Sequence, residues 1–187
     1  MKSILLSIKP KYVALIASGK KTIEVRKTAP KEVPFKAYIY CSKEKKQDDI
    51  IWAGVFGDRG KWNGHVIGEF ICDEVEEFHE WELSPQGKFA DFERERLENF
   101  LTAACLSEEE VVRYRENLPY FKPLYGWHIS DLKIYDKPKP IMQFYKPCPI
   151  KIKNCPVCEL YSTYTGCCMN NIDRPPQSWQ YVEELEK

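Results

Sequence analysis

The 187 residues include 28 Lys and Arg, 28 Asp and Glu and 43% hydrophobic residues, enough chain and apolar content for one well-buried globular core, with room for an appendage. No stretch approaches the roughly 20 apolar residues of a membrane span, and the run Ile4-Leu5-Leu6 is too short for a signal peptide, so a cytoplasmic protein without membrane attachment is expected. The zero net charge hides two opposed blocks: Met1–Lys46 holds twelve Lys/Arg against three Asp/Glu, and Glu69–Glu116 five against fifteen. The basic block sets up a field that attracts phosphate or nucleic acid, or else the two blocks neutralise one another in the fold.

In chain order, Ile4–Ile8 reads as extended. Pro10 suits a first helical turn, and Tyr12, Val13, Leu15 and Ile16 fall on one helical face. Gly19 supplies the left-handed position at which such a helix ends. Ile23 and Val25 then alternate with Thr22, Glu24 and Arg26, the period of a half-buried strand. Ile23 and Val25 are expected to face a core. Glu24 and Arg26 share the other face about 6 to 7 Å apart, where carboxylate and guanidinium can fix each other's geometry, and Lys21 stands at the strand mouth. Read from the residues alone, this is a solvated ion pair contributing about 0 to 1 kcal/mol.

Gly19, Lys21, Glu24 and Arg26 spell GxKxxExR, which resembles the signature of ASCH domains, relatives of the PUA, EVE and YTH readers of nucleic acid. The preceding strand and Pro-started helix match that setting. The resemblance implies an α+β fold, a small mixed PUA-like β-barrel with flanking helices. It covers Ile4 to Pro140, with an insertion around residues 45–64 that carries Trp52 and Trp62. The expected organisation is a barrel domain over residues 1–145 and a Cys-rich tail over 146–187 packed on it.

Further on, Phe35–Cys41 has the aromatic and β-branched content of a strand. His65–Val75 reads as another, with Gly68 at a bulge or a close backbone approach; it resembles the second recurring ASCH strand. Two helices follow. The first carries Phe92, Leu97, Phe100, Leu101 and Ala104; the second opens on a Ser107–Glu110 capping box, uses Val111, Val112 and Leu118 as apolar residues, and stops at Pro119. Tyr125–Tyr135 reads as one long strand broken by Pro138 and Pro140. Its Trp127-His128-Ile129 step resembles phage-type ASCH proteins, as does the ending Asp173–Tyr181. Trp127 and His128 are candidates to stack on and bond to a base, or else a core tryptophan beside a satisfied histidine. Trp179 and Tyr181 are expected to dock the tail back on the barrel, or to serve as a recognition peptide.

Five of the eight cysteines, Cys148, Cys155, Cys158, Cys167 and Cys168, fall in the last quarter. Cys155-Pro156-Val157-Cys158 has the spacing at which two thiolates reach one tetrahedral zinc. Cys148 and one of the adjacent pair are candidates to complete the set. A tail poor in aliphatic residues gains most of its order from a metal; reduced thiols and an adventitious disulfide are the other readings.

Three functions follow. The first is recognition of RNA or of a nucleotide with a modified base, with Gly19, Lys21, Glu24, Arg26, Trp127 and His128 as ligand-binding residues. The second is hydrolysis of acylated nucleosides or RNA, with Lys21 and Glu24 as catalytic residues. The resemblance reaches amidohydrolases acting on N4-acetylcytidine through a lysine and a threonine of the same motif; Lys21 matches the lysine, but Glu24 stands at the threonine. The third is a phage scaffold or interaction protein.

Overall fold

A computed structural model describes residues 1–43, 62–79, 90–147 and 171–185, with side chains from residue 94 onward in the third segment. Trp52 and the five tail cysteines lie outside these residues, as does the side chain of Phe92. The architecture is mixed α+β, as expected, with eight strands in two sheets and three α-helices among the described residues. These residues divide into two compact units. One lies within Met1–Val13, Phe35–Phe70 and Lys133–Lys187, the other within Ala14–Pro34 and Ile71–Leu132.

The first unit holds a five-stranded sheet in the order β7-β4-β3-β1-β8, made by β1 (Lys2–Ile8), β3 (Phe35–Cys41), β4 (His65–Cys72), β7 (Ser130–Pro140) and β8 (Trp179–Val182). β1 lies parallel to β3 and antiparallel to β8, so the C-terminal Trp179-Gln180-Tyr181-Val182 extends the sheet as an edge strand. Leu5, Tyr38, Val66, Phe144 and Val182 form its core, where the rings of Tyr38 and Phe144 meet edge to face at 5.0 Å. Trp62 is buried. Gly68 answers a close approach: an added Cβ would stand 2.4 Å from the Lys133 carbonyl oxygen.

The second unit holds a three-stranded antiparallel sheet, order β2-β6-β5, made by β2 (Ile23–Arg26), β5 (Val75–Phe78) and β6 (Leu124–His128). One face packs on α2 (Ala90–Ala104) and α3 (Glu108–Arg115), burying Ile23, Val25, Phe78, Leu97, Phe100 and Val111 in one cluster. Phe78 and Phe100 stack at 3.8 Å. The capping box of α3 forms as expected, Glu110 N donating to Ser107 Oγ at 3.1 Å and Ser107 N to Glu110 Oε2 at 3.0 Å.

Four expectations about the elements need correction. The strand expected over His65–Val75 ends at Cys72, and Val75 opens β5 in the other sheet. The Tyr125–Tyr135 stretch is two strands of different sheets, β6 and β7, which part at Ile129: Ile129 N still extends the β2 register to Thr22 O at 2.9 Å, and Asp131, just beyond, takes a positive φ of 47°. β7 runs on through Pro138 and Pro140, which an edge strand tolerates since its outer N–H groups need no partner. Helix α3 ends at Arg115, before Pro119, and leaves Val112 exposed; Asn117 turns the chain at φ 70°, a region its short polar side chain tolerates.

Candidate functional site

The motif begins at the end of α1 (Pro10–Ala17). Gly19 adopts φ +72°, and Gly19 N and Lys20 N donate to Ile16 O and Leu15 O at 2.8 and 3.0 Å, which satisfies carbonyls that the helix end leaves open. The next residues are tied to the far end of α2. Thr22 N donates to Ala103 O at 2.8 Å, Lys21 Nζ to Ala104 O at 2.6 Å, and Cys105 Sγ to Lys20 O at 3.3 Å. A lysine at a helix C-terminus meets the negative end of the backbone dipole, so Lys21 caps α2 from another part of the chain.

The same ammonium lies 3.4 Å from Glu24 Oε2, and Glu24 Oε1 lies 2.8 Å from Arg26 Nη2. Lys21, Glu24 and Arg26 are 2%, 6% and 7% exposed. The pair read from the residues alone as solvated is therefore a buried three-charge cluster, two cations around one carboxylate. Removing such charges from water costs several kcal/mol each unless close partners compensate, and here Glu24 touches both.

Strand register sorts the remaining candidates. Glu24 pairs with Trp127 and Ile23 with His128, so the pleat sends Glu24, Arg26 and Trp127 to one face and Ile23 and His128 to the other. Trp127 is fully buried on the face of the charge cluster. His128 is half-buried, with Nε2 at 3.3 Å from Glu76 Oε1, and lines a cavity of about 450 Å³ floored by Ile23, Phe100 and Ala103 and rimmed by Arg96 and Asn99. The structure thus gathers Lys21, Glu24, Arg26 and Trp127 and places His128 apart from them.

Two neighbours of the cluster are absent from the sequence reading. Burial raises the Tyr114 phenol above its ordinary pKa; the Arg26 charge acts against this and the Glu24 charge with it, which puts the ring beside the cluster. Lys27 Nζ stands 5.1 Å over that ring and donates to Glu116 O at 3.1 Å. Sequence spacing gave no sign of Tyr114, since it arrives from α3, almost ninety residues after the motif.

Among the described residues no group of three or more His, Cys, Asp or Glu is placed to hold a metal, and no helix is long and apolar enough to cross a membrane. Cys41 and Cys72 are buried thiols and Cys105 is half-buried.

The sequence profile of the ASCH domain matches residues 6–165. The chain belongs to the ASCH domain family. Among solved structures, this ASCH domain is similar to ASCH from Zymomonas mobilis, with 17% identity, coverage of 98% of this chain and 89% of that one, and a TM-score of 0.55. A tyrosine-to-phenylalanine mutant protein of ZmASCH from the same organism aligns with a TM-score of 0.52, also at 17% identity, over 98% of this chain and 92% of that one. A serine-to-alanine mutant protein of ZmASCH aligns at 0.54 and 17% identity, over 98% and 89%. At this identity the likeness shows the fold. No curated protein sequence matches this ASCH domain.

Proposed function

We propose that this ASCH domain recognises RNA, or a nucleotide with a modified base, at the Lys21–Glu24–Arg26 cluster of a PUA-like barrel. The observation that carries the reading is the burial of two cations around one carboxylate: the excess positive charge suits a phosphate or a polarised carbonyl oxygen. In this reading Arg26 meets the oxygen with its planar fork, and Glu24 orients that fork. Lys21, already fixed by Ala104 O, contributes field more than contact. Gly19 frees the chain direction, the enclosed Trp127 backs the cluster, and Tyr114 offers a ring beside it. His128 contributes from the opposite face of the sheet. Zinc held by the tail cysteines stays part of the proposal on their spacing alone.

The 3.4 Å approach of Lys21 to Glu24 also favours a second reading, in which this buried pair exchanges a proton with a water attacking an acylated nucleoside. Both are tested with one set of proteins. Anisotropy of labelled single-stranded RNA should show salt-sensitive binding that weakens about tenfold or more in Arg26→Lys, which keeps the charge but loses the fork. Equal binding by wild type and Arg26→Lys overturns the placement. Turnover of an acylated nucleoside that is lost in Glu24→Gln moves the assignment to the hydrolase.

A further inference from the structure

Arg115 is a buried arginine at the last turn of α3, and its guanidinium clamps one short segment. Its Nη1 donates to Lys122 O at 2.6 Å, and its Nη2 to Tyr120 O at 2.8 Å and Pro119 O at 3.3 Å. Lys122 N closes the same four residues by donating to Pro119 O at 2.9 Å, the i to i+3 bond of a β-turn. Tyr120 and Phe121 are therefore the two central residues of a turn that is bonded internally and clamped from beneath.

The turn holds its aromatic side chains outward. Tyr120 is 62% and Phe121 70% exposed. A buried arginine with three carbonyl partners is a costly way to position surface rings, and rings held in advance lose little further freedom when something stacks on them. Cations are available near the rings: Lys122 follows them in sequence and is exposed, Arg113 is exposed on α3, and Lys27 bonds Glu116 O beside Tyr114, with the exposed acids Glu108, Glu109 and Glu116 also on or next to α3. A continuous path of bonded residues leads from Arg26 through Lys27 and Tyr114 to Arg115 and the turn.

We infer that the Pro119–Lys122 turn is a stacking platform for single-stranded RNA, on which Tyr120 and Phe121 take the nucleotides next to the one held at the Lys21–Glu24–Arg26 cluster. This rests on the proposed function and extends it from one nucleotide to a strand. Exposed aromatic rings followed by an exposed lysine suit unpaired bases and their phosphates, since every base offers a face to stack on.

The test compares labelled oligoribonucleotides of about two and about eight nucleotides on the full chain and on Tyr120→Ala/Phe121→Ala, two surface changes that leave the Arg115 clamp in place. Each ring removed should weaken the longer RNA by about five- to a hundredfold and the shorter RNA far less, so that the advantage of length collapses. Arg115→Met, which frees the turn without removing the rings, should weaken the longer RNA in the same direction. Undiminished binding of the longer RNA by the double variant overturns the platform and leaves the cluster standing as the RNA site. Absence of RNA binding at either length in the wild type overturns both. A concentration-dependent dimer that the double variant abolishes, with RNA binding unchanged, reassigns the rings to self-association and also overturns the platform.

Discussion

Lys21 Nζ lies 2.6 Å from the carbonyl oxygen of Ala104, the last residue of α2, and 3.4 Å from Glu24 Oε2. One ammonium thereby joins a helix end to a strand carboxylate. The most prominent lysine of the motif has a structural duty whatever it does to a ligand. Lys21→Ala is expected to lower the unfolding free energy by about 3 to 5 kcal/mol, because it leaves buried acceptors without their donor. Urea denaturation checks this. A change under about 0.5 kcal/mol would show that water takes over the cap, and would free Lys21 for a ligand role alone.

Glu24 and Arg26 should be coupled far more strongly than a surface pair. Burial of both side chains at 2.8 Å reduces screening, so a double-mutant cycle with Glu24→Gln and Arg26→Gln should give a coupling of about 1 to 3 kcal/mol. The value should change little with added salt, since buried pairs are screened much less than exposed ones. A coupling below about 0.5 kcal/mol, or one erased by salt, would return the pair to the solvated class.

What could be read from the residues follows a physical boundary. The Pro10 start of α1, the Gly19 exit, the inward Ile23 and Val25 and the Ser107–Glu110 box are local, set by backbone conformation and periodicity, and all are observed. Burial of Glu24 and Arg26 was hidden, because alternation says which residues share a face but not what covers it. The Ala104 partner of Lys21 and the arrival of Tyr114 were hidden too, since both depend on contacts more than eighty residues away. Strand β5 escaped notice because Val75-Glu76-Glu77-Phe78 lacks the apolar alternation of a strand, with only Phe78 fully buried.

Alkaline pH should expose one buried thiol. Burial is the main cause that pushes Cys72 from 9.0 up to about 12, and its Sγ donates to Glu74 O at 3.1 Å. The unfolded chain therefore loses this proton first as pH rises. Stability contributed by the protonated thiol is complete below about pH 9 and drains away between there and about pH 12. Tyr38, Tyr40 and Tyr114, raised chiefly by burial, act in the same sense. Thermal unfolding should show a falling Tm above pH 9, with a shallower fall in Cys72→Ala; parallel curves for the two proteins would remove Cys72 as a contributor.

The tail cysteines supply the last expectation, and it rests on spacing. Cys155 and Cys158 are separated by the two residues Pro156-Val157, with Cys148, Cys167 and Cys168 near them in sequence. If two thiolates of this turn and two others share a metal, the purified protein should contain about one zinc per chain, and chelation should lower the unfolding temperature, because the free energy of binding contributes to folding. Cys155→Ser should reduce the zinc content sharply, whereas Cys105→Ser, on a cysteine whose thiol instead donates to Lys20 O, should leave it unchanged. Elemental analysis decides the matter: metal-free protein in which all five tail thiols react freely with an alkylating reagent would assign them as reduced cysteines and retire the metal.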